Sequence, residues 1–173
     1  EIPIGDTPVM GAKDADVMLV EFVDFECPFC ARFHPPMVEA AKSYPDKKVS
    51  YMIKHFPLSF HPNAKPAAKA AMAAGEQGKF YEMADLLLQN GRALSPEKYE
   101  ELAKQIGLDI KKFKKALADN DAKYEKKIQE DMALGAKVGV RGTPTFYVGG
   151  RKARGRDAAY YKGEIDKLLE EKK

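Results

Sequence analysis

The sequence predicts an α/β core interrupted by an all-helical segment. Three observations carry that reading. Apolar, β-branched and aromatic runs of strand length occur near residues 17–25, 48–56 and 145–148. Between about 62 and 138 the pattern is helical throughout. The first two runs flank a helical stretch, so strand, helix and strand follow in order.

Residues 17–25 (Val-Met-Leu-Val-Glu-Phe-Val-Asp-Phe) read as a buried strand. The helix expected over 28–44 opens on Pro28, whose fixed φ suits the first helical position, and carries Phe29, Phe33, Met37, Ala40 and Ala41 at helical spacing. Pro35-Pro36 removes two amide donors inside it, so a kink is expected, without a stop. Residues 48–56 form the second strand, joined to the first by a right-handed parallel crossover. Four or five helices follow. Pro66 to Ala74 is alanine-rich, Phe80 to Leu88 has an apolar face, Ser95-Pro96-Glu97 and Asp109 supply N-caps, and Tyr124, Ile128 and Met132 mark a longer last helix. Thr145 to Val148 is a strand, Gly149-Gly150 a hairpin turn, and Arg151 to Gly155 a short basic edge strand. A final helix runs from about Asp157 to Glu171 and buries Tyr161, Ile165, Leu168 and Leu169. The expected organisation is a core of residues 1–60 and 139–173 with a helical insertion over 61–138.

With 173 residues, 45% of them hydrophobic and 32% charged, the chain has enough apolar material for one well-buried core with an insertion. Lysine and arginine number 29 against 26 acids, interspersed, so nucleic acid is not an expected partner. The densest basic run, Lys111-Lys112-Phe113-Lys114-Lys115, reads as a solvated helix face. No stretch approaches the roughly 18 apolar residues of a membrane span, and Glu1-Ile2-Pro3-Ile4-Gly5-Asp6 is unlike a signal peptide. The missing initiator Met is taken as the trace of a removed leader or segment, which neither shows nor excludes export.

Only two cysteines occur, Cys27 and Cys30, three residues apart. Neither can staple distant parts of the chain, so the pair points to reversible redox chemistry or to metal binding. A cysteine between a strand and the first turn of a helix faces unpaired amides and the positive end of the dipole, which favours its thiolate. Such thiols titrate at roughly 3.5 to 7.5, against about 8.5 for free cysteine. Cys27 is then the nucleophile and Cys30, one turn on, the resolving thiol. A zinc site needs four ligands, and no second cysteine pair is present; His34, four residues after Cys30, is the one candidate third ligand, for a soft ion such as Cu(I). In Gly142-Thr143-Pro144-Thr145 a proline opening a strand is a candidate cis peptide, which would leave the Thr143 amide and carbonyl open to a substrate strand.

Val20-Glu21-Phe22-Val23-Asp24-Phe25-Glu26-Cys27-Pro28-Phe29-Cys30, the helical block and Gly142-Thr143-Pro144-Thr145, in this order and spacing, resemble the DsbA-like branch of the thioredoxin superfamily. The resemblance spans nearly the whole chain. It implies a thioredoxin fold with an inserted all-helical subdomain, and a bacterial periplasmic or otherwise extracytoplasmic protein that donates, shuffles or reduces disulfides without a cofactor or resident metal. Cys27 is the implied attacking thiol, and Thr143-Pro144, with Pro28 and Phe29, the implied substrate-contacting surface. Unfolded or reduced exported proteins are the implied clients, and a membrane protein of the DsbB or DsbD type the implied redox partner. Glu21 matches the family's buried acid: a carboxyl beneath a dithiol relays protons and has its pKa raised by desolvation. The competing reading is a surface glutamate between apolar neighbours. Asp24 and Glu26 are expected to be rim acids, Glu26 mildly opposing the Cys27 thiolate.

Two departures matter. Phe29 stands where strongly oxidising relatives have histidine, so one charge-assisted contact to the thiolate is lost and a less oxidising couple is expected. Thr143 is shared with the isomerase branch and with several DsbA-like relatives, but only about 16 residues precede the first core strand here, too few for the isomerase branch's dimerisation domain, so a monomeric oxidase or reductase is expected unless an N-terminal segment was removed. Isomerase or reductase activity remains the alternative, as does a Cu(I)-handling protein on the same fold. His55 and His61 are expected to be packing or loop residues, and Phe29 and Phe60 to offer apolar surface to clients.

Overall fold

A computed structural model describes residues 1–45 and 47–173. Its elements run β1 (Val9–Met10), β2 (Val17–Val23), α1 (Pro28–Lys42), β3 (Val49–His55), α2 (Ala64–Gly75), α3 (Phe80–Gln89), α4 (Pro96–Gln105), α5 (Ile110–Asp119), α6 (Asp121–Val138), β4 (Thr145–Val148), β5 (Arg151–Lys152) and α7 (Ala158–Glu171). The sheet order is β1-β3-β2-β4-β5. Val17 N–H donates to Lys48 O and Phe56 N–H to Val23 O, so β2 and β3 run in the same sense, as the expected crossover requires. β4 lies antiparallel to β2, placing Glu21 opposite Phe146. This is a thioredoxin fold carrying a helical insertion.

Two compact units are resolved within the described residues. The first comprises 1–22, 32–54 and 144–173 and holds the sheet. Leu19, Met37, Met52, Ile53, Tyr161 and Ile165 are buried there. The second comprises 23–31 and 55–143, so the cysteine-bearing turn groups with the helices. Its core is the alanine face of α2 with Met83, Leu87, Leu102, Phe113 and Ile128. Small side chains on α2 suit close helix approach.

Most elements lie within two residues of expectation. α1 continues through Pro35 and Pro36 without ending. Ser95 Oγ accepts from Lys98 N–H, and the Asp109 and Asp157 carboxylates cap α5 and α7. The four lysines flanking Phe113 are exposed while Phe113 is buried. β1 was not foreseen, because a two-residue strand has no periodicity. The inward face of α6 also differs: Asp131 is buried where Met132 was expected. Its carboxylate is satisfied by His55 N–H at 2.9 Å and Lys127 Nζ at 3.0 Å, which makes burial of an acid tolerable.

Gly149 and Gly150 have φ of +56° and +85°, as the tight turn demands. A Cβ on Gly149 would lie 2.5 Å from Leu168 Cδ1. Gly149→Ala is therefore expected to cost at least about 1 kcal/mol, from backbone strain and displacement of Leu168, read as a lower midpoint in denaturant unfolding.

Candidate active site

β2 delivers the chain at Val23 into a short turn, and α1 begins at Pro28. Cys27 occupies the N-cap position. Its carbonyl accepts the Cys30 and Ala31 amides at 3.1 and 3.3 Å, and Pro28, with no N–H to satisfy, fills the first helical position. The Cys27 sulfur thus stands where a serine or aspartate oxygen usually caps a helix. Its thiol is drawn down from 9.0 to about 5, chiefly by the hydrogen bond from the Cys30 side chain; burial opposes this, while the Thr143 side chain and the Cys30 and Phe29 amides assist. In the protonated state the thiol donates to Thr143 O at 3.6 Å, a contact between residues 116 positions apart.

Both cysteines are reduced and buried. Pro28 is exposed, and Phe29 is 56% exposed, so the dipeptide between the cysteines faces outward. Phe60 is 72% exposed and packs edge-on against His61. Thr143 is half-buried and Pro144 buried immediately before β4. The fold brings Cys27, Cys30 and Thr143 together; Glu21 and Pro144 belong to the sheet unit.

Glu21 is fully buried. Its Oε1 lies 2.6 Å from His34 Nδ1, and the two form a buried acid–imidazole pair. Burial foremost, and then the Glu21 charge, raise the pKa of the buried Tyr161 hydroxyl. His34, the one candidate third ligand for the metal alternative, is thus engaged by a carboxylate on β2. Among the described residues no group of three or more His, Cys, Asp or Glu side chains is placed to hold a metal ion.

Asp24 corrects an expectation. It is a buried acceptor and no rim acid: Oδ1 accepts Glu26 N–H at 2.8 Å, and Oδ2 accepts Leu58 N–H at 2.7 Å and pairs with His61 Nδ1 at 2.8 Å. Glu26 is half-buried and accepts from the Asn63 amide at 2.9 Å, so its charge is spent on the start of α2. Sequence reasoning missed both roles. The partners lie 34 to 37 positions downstream, and the only signal in the chain was an Asp two residues before Glu26, a spacing at which an aspartate side chain captures a backbone amide.

Residues 4–169 match the family model described as Thioredoxin. The chain belongs to the thioredoxin family. Within that family its fold is of the DsbA type. The thiol-disulfide exchange protein alpha-DsbA2 of Wolbachia pipientis superposes with a TM-score of 0.83 over 94% of this chain and 87% of that one, at 24% identity. A thioredoxin-like oxidoreductase of Silicibacter pomeroyi gives 0.79 over 96% and 94%, at 26% identity. By sequence, this thioredoxin-family chain is 40% identical over 148 residues to the Na(+)/H(+) antiporter NhaA 3 of Salinispora tropica, a match covering 85% of this chain and 22% of that protein. The chain thus spans less than a quarter of that curated relative's length. No helix among the described residues is long and apolar enough to cross a membrane.

Proposed function

We propose that this chain is a protein thiol–disulfide oxidoreductase that uses the Cys27/Cys30 dithiol, with oxidation of reduced exported proteins as its direction. The observation that carries the reading is the Cys27 sulfur at the N-cap of α1, held near pKa 5 with Cys30 one turn away. In the oxidised form a client thiolate attacks Cys27 Sγ, the Cys27–Cys30 bond breaks, and Cys30 leaves as a thiolate. A second client thiolate then attacks the client sulfur of the mixed disulfide, and Cys27 leaves with the electron pair. The low pKa makes Cys27 a good leaving group and favours the dithiol product. A thiol near 5 lies between the roughly 3.5 of the strongest oxidant and the roughly 7 of thioredoxin, in keeping with Phe29 contributing no charge.

Thr143 O, Pro28 and Phe29, all of the unit that carries the dithiol, receive the client strand. The reaction requires no cofactor or metal beyond an external disulfide donor, which a membrane redox protein of the DsbB type supplies outside the cytoplasm. A partner of the DsbD type would instead keep the dithiol reduced for isomerisation or reduction. The Cys30→Ser variant tests the core of this reading. It is expected to accumulate mixed disulfides through Cys27, whereas the absence of any trapped adduct, together with stoichiometric Cu(I) retention by the wild-type chain that is lost when either cysteine is replaced, would overturn it in favour of metal handling. Comparing oxidation of a fully reduced substrate with refolding of a scrambled one separates oxidase from isomerase.

A second client class is favoured by one observation. A region 40% identical to this chain lies within a protein named as a sodium–proton antiporter, which supports a dithiol serving a membrane transport protein. Membrane-fraction adducts of Cys30→Ser support this class, and exclusively soluble adducts oppose it.

A further inference from the structure

Asp24 carries several hydrogen bonds and has no part in the exchange reaction. Its backbone carbonyl accepts Cys27 N–H at 3.1 Å, and its Oδ1 accepts Glu26 N–H, so one residue shapes the whole turn that presents the nucleophile. Its Oδ2 holds a second segment, through Leu58 N–H and His61 Nδ1. All five residues belong to the same compact unit. The turn is backed by Gly91, where a Cβ would sit 3.1 Å from Phe25 O, so this backbone has little space to relax. A carboxylate with no solvent exposure is retained only where donors replace its water. Here two backbone amides and an imidazole do so.

We propose that Asp24 is a positioning residue for the dithiol, holding the 24–27 turn against the 58–61 segment so that the Cys27 sulfur stays aligned with the Phe29 and Cys30 amides at the start of α1. The Phe29 and Cys30 amides stabilise the thiolate only while they point at Sγ, and directional bonds of this kind weaken steeply with misalignment. The segment being clamped also carries the exposed Phe60, packed edge-on against His61 at a centroid distance of 4.6 Å. The same carboxylate therefore fixes an aromatic surface and the nucleophile together. The inference rests on Cys27 being the reactive thiol.

Asp24→Asn is a demanding substitution at nearly constant volume. In either orientation of the amide, its nitrogen faces a backbone N–H, that of Glu26 or that of Leu58. The full chain is compared with Asp24→Asn and His61→Ala by pH-dependent alkylation of Cys27 and by reduction potential against a glutathione buffer. Asp24→Asn is expected to raise the Cys27 pKa by roughly one pH unit, a roughly five-fold slower alkylation at the wild-type midpoint, and to make the potential more negative. His61→Ala, which keeps both amide bonds, shifts both quantities the same way by less, and it decides the question if Asp24→Asn does not fold. Folded variants that lose thermal stability but keep the wild-type Cys27 pKa and potential would reduce Asp24 to a structural residue and overturn the inference. A wild-type Cys27 titrating at its ordinary value would instead overturn the reading beneath it, and this inference with it.

Discussion

Cys27→Ser is expected to abolish disulfide exchange and, in the same variant, to erase a pH dependence of stability that only the reduced wild-type chain shows. The folded thiol titrates near 5 and the unfolded one near 9. Between these values the unfolded chain binds the extra proton, so stability of the reduced protein rises with pH, is fully present above the unfolded pKa, and is lost as pH falls through about 5. Each tenfold gain in the thiol's acidity on folding is nominally worth about 1.4 kcal/mol; screening by nearby solvent leaves on the order of 1 kcal/mol at neutral pH. The oxidised protein has no thiolate and lacks this contribution. Unfolding midpoints of both redox forms from about pH 4 to about pH 9 are the measurement. Reduced wild type should gain on oxidised wild type as pH rises, and Cys27→Ser should run parallel to the oxidised form. Equal slopes in reduced wild type and Cys27→Ser would mean that the thiol is not depressed.

Glu21→Leu carries the largest expected loss of stability. The carboxylate and the His34 imidazole lie 2.6 Å apart, both essentially out of solvent. Deleting one partner removes the acceptor from a buried imidazole, for which about 3 kcal/mol is the ordinary cost. Replacing both with apolar groups removes the need for either, so the Glu21→Leu/His34→Leu double variant should lose clearly less than the sum of the single variants. Chemical unfolding of the four proteins closes the cycle. Additive losses would show that the two side chains do not act as a pair.

The cysteine turn was legible in the sequence because its information is local. Strand run, Cys27, a proline without an amide and a helical period are consecutive, and the thiol's position at the helix terminus follows from that order alone. Thr143 was legible differently, through the succession of glycine, proline and strand after a long helical block. The burial of Glu21 was anticipated from its apolar neighbours on β2, whereas its pairing with His34 was not foreseen. His34 shares a helix face with Cys30, which made it a candidate ligand, yet its ring is taken by an acid from another element. Asp24 was misplaced for a related reason. Alternation along a strand cannot distinguish an acid at the rim from one folded inward onto donors 34 and 37 residues away.

By itself, the sequence determined the order of the elements from β2 onward, the caps of α4 and α5, the Gly149-Gly150 turn, and a lone dithiol at the start of a helix. All of these depend on contacts within a few residues. Only the tertiary structure decided what surrounds the dithiol turn and the buried acids: Thr143 O beside Cys27, His34 on Glu21, Asp131 on His55, and Asp24 joining Glu26, Leu58 and His61. Each of these joins a polar group to a partner brought near by packing of the whole chain. A buried charge must find donors, but which donors it finds depends on the three-dimensional path of the backbone.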